Sequence, residues 1–128
     1  MLETGLKGTK TVTVNEANTA KTMGSGTLDV FATPALIALM EETCWRSVAE
    51  HLEDGSGTVG TLLEIKHTAP TPVGMDVTCE SELTEVDGRR LVFTVQAHDA
   101  KGLVGEGRHE RFIINNDKFQ SKANAKRM

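Results

Sequence analysis

The sequence predicts an α+β fold in which a five-stranded antiparallel sheet wraps around one long central helix. Only one long stretch, from Val30 to Leu52, has a helical pattern, and its first half is apolar all round. From Thr58 to Asn115 the chain alternates apolar and polar residues in segments joined by turn residues, which is typical of a strand meander. The apolar face of such a sheet must be covered by another element, and this helix is the obvious candidate.

The helix begins and ends with clear signals. Thr33 is a good N-cap, and Pro34 suits the first helical position because its missing N–H costs nothing there. The turn residues of Glu53 to Gly57 end the helix. Residues 35–40 are apolar on every side, which predicts burial all round. In the second half, one stripe is apolar (Ile37, Cys44, Trp45, Val48 and Leu52) and the opposite face is charged (Glu42, Arg46 and Glu50).

Glu41 breaks the pattern, because it lies on the apolar stripe while Glu42 takes the solvent face. A buried carboxylate must be paired, hydrogen-bonded or neutralised. One interpretation is a residue at the end of the stripe whose carboxylate extends to water. The other is a carboxylate with a functional role, lining a cleft.

The strand pattern starts with a weak first strand at Thr9 to Val14 and continues after the helix. Strict alternation places the odd-numbered residues from Val59 to Ala69, including His67, on one face of the second strand. Asp87-Gly88 predicts a tight hairpin. Residues 16–29 are small and polar, which indicates a mobile connection or a lid, and residues 116–128 are expected to form a frayed polar tail.

The composition is that of one soluble domain, residues 1–128, without a membrane span or signal peptide, so we expect a cytoplasmic protein. A net charge of −4, few aromatic residues and no Tyr argue against nucleic-acid binding. Cys44 and Cys79 lack metal-ligand spacing and are expected to be buried thiols, so no metal is predicted. One helix cannot cover five strands, and edge strands need partners, so we expect a homodimer.

Three residues could carry chemistry together. Thr33 begins the helix, Glu41 follows two turns later, and His67 ends the next strand on its inward face. Each has an ordinary structural explanation: a helix cap, an exposed carboxylate and a hydrogen-bonded core histidine. A hydroxyl, a carboxylate and an imidazole that converge at one end of the helix–sheet sandwich would, however, suit acyl transfer. On the last strand His109 and Arg111 share a face, for which a polar interface is the simpler explanation.

Several short motifs lie along the chain between about Val30 and Phe119. They are Phe31 to Pro34, Leu39 to Glu41, Gly60-Thr61, His67 to Pro72, Val86 to Arg90, Ala97 to Asp99 and His109 to Arg111. Together, and in register, these motifs resemble those of the fluoroacetyl-CoA thioesterase family of hotdog-fold proteins.

The resemblance implies a dimeric hydrolase that converts acyl-CoA thioesters to free acid and CoA, with CoA as part of the substrate and no cofactor. It implies catalytic roles for Thr33, Glu41 and His67, and substrate hydrogen bonds from Gly60 and Arg111. The fluoroacetyl-specific member has an apolar phenylalanine lid, but residues 21–27 (KTMGSGT) contain no phenylalanine, so its selectivity is not expected here.

Two hypotheses follow: an acyl-CoA thioesterase, or a non-catalytic acyl or small-ligand binding dimer. An intact Thr33–Glu41–His67 set favours the enzyme, because an apolar binding pocket gains nothing from a buried carboxylate. For the phosphates of CoA, the candidates are the basic residues Arg89, Arg90 and Lys118, which could equally be ordinary surface charges.

Overall fold

The computed structural model describes residues 2–128 and has the predicted α+β architecture. Five strands form one antiparallel sheet in the order β1-β3-β4-β5-β2, so β1 and β2 are its edges. The helices are α1 (Ala20–Met23), α2 (Thr33–Ala49) and α3 (Asn116–Asn124). The strands are β1 (Lys7–Thr13), β2 (Ser56–His67), β3 (Asp76–Asp87), β4 (Arg90–Asp99) and β5 (Gly102–Asn115).

The central helix α2 is shorter than predicted and begins one residue earlier, at Thr33 rather than at Pro34. Ala32 is the N-cap, and no side chain caps the helix. Thr33 is therefore the first helical residue, and the prediction that it caps the helix is wrong. The helix starts here because Pro34 has a fixed φ angle and lacks an N–H that the first turn would leave unpaired. The hydroxyl of Thr33 is consequently free to bond elsewhere.

The buried face of α2 is rotated away from the predicted apolar stripe. Ile37 and Glu41 are only partly buried, Trp45 is 39% exposed, and Ala38 is exposed, so burial of residues 35–40 on every side is also wrong. Glu41 and Trp45 instead lie on the side of the helix that faces β2, where Glu41 approaches Gly60 and Trp45 lies close to Thr58. The residues that do pack into the core recur at three- and four-residue steps: Leu36, Leu39, Met40, Thr43, Cys44 and Val48.

The sheet face beneath α2 follows the predicted alternation on β3 and β4. The inward side chains of β3 and β4 are almost inaccessible to solvent. They pack against the buried side chains of α2 and form one hydrophobic core between helix and sheet. Both cysteines lie in this core as free thiols, and burial raises the pKa of Cys44 to about 12. The predicted hairpin is also present, with Gly88 at a positive φ of 61°. The core residues of the two strands are Val77, Cys79, Leu83, Leu91, Phe93, Val95 and Ala97.

Strand β2 contains a β-bulge that changes which of its residues face the helix. Gly60 pairs with Arg111 and Leu62 with Glu110, which leaves Thr61 as the extra residue. Residues directly opposite each other in an antiparallel pair share a face, so Gly60 lies on the same inward face as Leu63. The prediction that Val59 and Thr61 share this face with Leu63 and His67 is therefore wrong.

Two terminal and connecting segments have more regular structure than predicted. Residues 116–124 form α3 rather than a frayed tail, because the Asn115 side chain accepts a hydrogen bond from the N–H of Lys118 and caps the helix. Between β1 and α2, a 3-10 turn (Glu16–Asn18) and α1 replace the expected open connection, although residues 21–29 are all exposed. Within the described residues, no helix is long and apolar enough to cross a membrane.

Candidate functional site

The first group of candidate residues lies where α2 begins and β2 ends. The hydroxyl of Thr33 and Nδ1 of His67 are hydrogen-bonded at 2.7 Å. Nε2 of His67 is buried and has no hydrogen-bond partner among the described residues. Burial lowers the pKa of His67, which favours a neutral imidazole near pH 7. A neutral imidazole held by a hydroxyl is suited to receive or deliver a proton.

The second group is centred on Arg111, which projects from β5 and is only 6% exposed. Its Nη1 donates to Oε2 of Glu41 at 3.2 Å. Its Nε and Nη2 donate to the hydroxyl and the carbonyl oxygen of Thr58 at 2.8 and 2.9 Å. The Glu41 side chain itself is 36% exposed. The hydrogen bond from Arg111 therefore holds a carboxylate whose side chain is still partly accessible to solvent.

His109 completes this second group and is fully buried. Its Nδ1 lies 2.8 Å from the carbonyl oxygen of Leu62, and its Nε2 lies 3.1 Å from Nη1 of Arg111. Burial, reinforced by the nearby guanidinium, lowers the pKa of His109. For His109 the sequence suggested only a polar interface, because alternation shows that His109 and Arg111 share a face but not that this face meets Glu41.

Gly60 lies directly against the Glu41 carboxylate. A Cβ atom at this position would come within 2.6 Å of Oε2 of Glu41 and within 3.3 Å of Nη1 of Arg111. No side chain other than hydrogen fits there without moving the carboxylate. The backbone of Gly60 can therefore approach any group that Glu41 contacts.

Within one chain the two groups do not converge as the sequence predicted. Thr33 and Glu41 are eight residues apart on one helix, which is about 12 Å along its axis. His67 and Gly60 lie seven residues apart on β2, or roughly 20 Å. The hydrogen bonds Thr33–His67 and Arg111–Glu41 thus define two separate half-sites. The first contains Thr33 and His67, and the second contains Glu41, Arg111 and Gly60. Both lie beside strand β2, at different positions along its length.

Comparison with known proteins shows to which family this chain belongs. The model of the fluoroacetyl-CoA-specific thioesterase family (FlK) matches residues 14–117. A fluoroacetyl-CoA thioesterase from Streptantibioticus cattleyicolor is 46% identical over 98 residues, which are 77% of this chain and 70% of that protein. The chain belongs to this family. It is accordingly a thioesterase, as the resemblance of its motifs predicted.

Solved structures of thioesterases agree on the architecture. A structure of the fluoroacetyl-CoA thioesterase FlK superimposes with a TM-score of 0.94 at 37% identity and covers 98% of both chains. A thioesterase superfamily member from Thermus thermophilus, at 24% identity, has a TM-score of 0.89 over 98% of this chain and 93% of its own. The second match shows the fold alone. The predicted hotdog fold is therefore confirmed.

The basic residues considered for the phosphates of CoA differ in their availability. Arg90 is engaged by Glu85 at 2.7 Å and by Glu110 at 3.0 Å, so its charge is already compensated. Arg89 and Lys118 are exposed and form no ion pair within residues 2–128. Of the three candidates, these two are better placed to meet a phosphate. No cluster of three or more metal-ligating side chains occurs in the part of the chain that the structure describes.

We expect the stability of this thioesterase to fall as the pH drops from 7.5 to 5.5. The pKa values of His67 and His109 are lowered from 6.5 by burial, so below that pH the unfolded chain binds protons that the folded chain does not. The measurement is the thermal midpoint at several pH values. His67→Gln should flatten the dependence, and replacement of the exposed His51 by Gln serves as the control. A midpoint that rises on acidification would contradict the assignment.

Proposed function

We propose that this thioesterase hydrolyses acyl-CoA thioesters to free acid and CoA in an active site shared by two copies of the chain. The observation that carries the proposal is the pair of complementary half-sites. One offers a carboxylate held by Arg111 beside a bare glycine backbone, and the other offers a neutral imidazole held by a hydroxyl. Neither half has all the groups that hydrolysis needs. No cofactor is required, because CoA is part of the substrate.

The exposed edge of β2 supports a homodimer. The strand is 12 residues long and, within residues 2–128, pairs with β5 alone, so its outer edge presents N–H and C=O groups without a strand partner. Beside it lie two large apolar side chains, Trp45 and Leu63, each 39% exposed. A second copy that pairs antiparallel with this edge would cover both the strand and these side chains.

The position of the two-fold axis follows from the half-sites. If β2 pairs with its copy so that Gly60 lies opposite His67 of the partner subunit, the axis passes near Leu63, midway along the strand. This pairing brings the Glu41–Gly60 half-site of each copy towards the Thr33–His67 half-site of the other. Two equivalent active sites would result, each incomplete in a single chain.

In this shared site each residue has a role that its environment suits. Glu41 either attacks the thioester carbonyl carbon and forms a mixed anhydride that water then hydrolyses, or it removes a proton from a water molecule that attacks that carbon. The N–H of Gly60 stabilises the oxyanion that forms, and Arg111 holds Glu41 and the substrate by hydrogen bonds. His67, oriented by Thr33, takes up the proton that the attacking water releases and passes it to the departing thiolate of CoA. Overall, one water molecule is added, the C–S bond breaks, and the products are the acid and free CoA.

A reducing compartment suits this protein, because both of its buried cysteines are free thiols. We therefore propose the cytoplasm as its location. The alternative of a non-catalytic acyl-binding dimer has no support from the family match.

Release of free thiol from a panel of acyl-CoAs tests the proposed activity. We expect turnover of several acyl-CoAs, with little preference for fluoroacetyl-CoA over acetyl-CoA. Residues 21–29 are exposed, and the large apolar side chains among them, Met23 and Leu28, are 45% and 65% exposed, so this segment is poorly suited to form a dry apolar lid. The comparison is kcat/KM for the two substrates side by side. Close apolar fit changes such discrimination by only ~1–3 kcal/mol per methylene.

Two results of that panel would contradict our expectations. No thiol release from any acyl-CoA would refute the proposed activity. A preference of several orders of magnitude for fluoroacetyl-CoA would leave the activity in place but show that selectivity arises from Glu41 and His67 rather than from the lid segment.

A further inference from the structure

We propose that His109 is a positioning residue of the thioesterase site, which aims the Arg111 guanidinium at Glu41. This inference rests on the proposed function, in which Glu41 carries the reaction. His109 is fully buried, 0% exposed, and it contacts Arg111 rather than the carboxylate itself. It would therefore act on the chemistry through Arg111.

The surroundings of His109 determine its tautomer. The carbonyl oxygen of Leu62, 2.8 Å from Nδ1, can only accept a hydrogen bond, so Nδ1 carries the proton. Arg111 has only donors, so Nε2, at 3.1 Å from Nη1, must be the acceptor. A neutral imidazole protonated on Nδ1 satisfies both partners at once. Each ring nitrogen is therefore used, and the ring cannot rotate without losing both bonds.

This acceptor completes the hydrogen bonding of Nη1. The two N–H groups on that nitrogen point to Oε2 of Glu41 and to Nε2 of His109. Nε and Nη2 are held by Thr58. Because Glu41, His109 and Thr58 all accept hydrogen bonds from the planar guanidinium, these bonds fix its orientation. If the acceptor on His109 were removed, one N–H of Nη1 would be unsatisfied in a buried site, and Arg111 would turn to find another partner.

The same imidazole also supports the backbone beside the site. Leu62, whose carbonyl it binds, directly follows the bulged residue Thr61, and the hydroxyl of Thr61 donates to the carbonyl of Glu110 at 3.2 Å. The bulge turns Gly60 towards Glu41. His109 thus joins the backbone that carries Gly60 to the arginine that holds Glu41, which is why a conservative change here should alter turnover.

Two variants separate the roles of the ring nitrogens. His109→Asn places an amide donor near the position of Nδ1 but offers Arg111 no acceptor. His109→Gln places an amide oxygen near the position of Nε2 and keeps that acceptor. We expect the Asn variant to lose about tenfold or more in kcat, with KM within about twofold, and the Gln variant to retain most of its turnover. Thermal midpoints of both variants report folding independently of rate.

A double mutant tests whether His109 acts through Arg111. If it does, His109→Asn should cost little further kcat in an Arg111→Lys background, where the aimed guanidinium is already lost. A purely structural role predicts instead that both variants at 109 lose stability to a similar extent while kcat of the folded protein is unchanged. A loss of kcat that adds fully to that of Arg111→Lys would show that His109 acts independently of Arg111. Either result would overturn the inference.

The imidazole ¹⁵N spectrum of the wild-type protein keeps this inference separate from the proposed function. We expect His109 to be protonated on Nδ1 alone at pH 7.5, and an Nε2-protonated ring would overturn the inference. Absence of thiol release from all acyl-CoAs would refute the proposed function instead, and the spectrum would still decide how His109 is bonded.

Discussion

Glu41→Gln should lower the turnover of the best acyl-CoA substrate by roughly 10²-fold or more, the scale of a positioned acid–base group. The amide has the size of the carboxylate but neither its charge nor its basicity, so it can neither attack the carbonyl nor activate water. Its oxygen can still accept the hydrogen bond from Nη1 of Arg111, which now has a length of 3.2 Å. We therefore expect the fold to persist, with kcat falling far more than the thermal midpoint.

The neighbouring residue provides a matched control. Glu42 has a similar exposure to Glu41 but pairs with Arg46 at 2.7 Å and with Lys10 at 3.7 Å. Glu42→Gln removes the same charge one position away and should leave kcat within about twofold, because the ion pairs of Glu42 do not involve Arg111. If both variants keep wild-type turnover, Glu41 is not the catalytic carboxylate.

Mixing two inactive variants tests whether the site is shared. In a dimer of Glu41→Gln with His67→Ala, one active site carries both changes and the other carries neither. Random exchange between equal amounts of the two variants should therefore restore up to about a quarter of the wild-type activity, provided that the subunits form a closed two-fold dimer. Light scattering at micromolar concentration should give a mass of at least twice 13.8 kDa. A monomer, or a mixture that stays inactive after exchange, would exclude the shared site.

The fold was predictable from the sequence because its signals are local and periodic. Alternation identified the inward faces of β3 and β4, and Asp87-Gly88 identified the hairpin between them. The buried face of α2 was harder to predict, because the first half of the helix is apolar on all sides and does not show which side packs on the sheet. Ile37 and Trp45 are apolar, yet the sheet covers neither fully, and sequence periodicity cannot distinguish burial against the sheet from exposure to a partner.

The site was only partly predictable. The residue pattern singled out Thr33, Glu41 and His67, and the resemblance implied catalytic roles for them. The structure shows Thr33 and His67 hydrogen-bonded to each other but not to Glu41. The bulge at Thr61 was missed, although a glycine inside a strand followed by two consecutive leucines was a signal for it. His109 could not have been found by pattern, because its role depends on a carbonyl 47 residues away in the chain.

Gly60→Ala should reduce turnover by about 10²-fold, because displacement of a reacting group by about 1 Å can have such an effect. The new Cβ would lie 2.6 Å from Oε2 of Glu41 and 3.2 Å from the ring of His109. Glu41 is partly exposed and His109 is fixed on two sides, so the carboxylate rather than the ring should move. The fold should tolerate the change, because Gly60 does not have a positive φ angle and alanine can adopt its backbone conformation. Steady-state kinetics together with thermal midpoints separate the two effects, and Thr61→Ser, a small change at the adjacent bulge, is the control. An alanine variant with wild-type kcat would show that the carboxylate does not need its place against this backbone, and the roles assigned to Gly60 and Glu41 would both have to be abandoned.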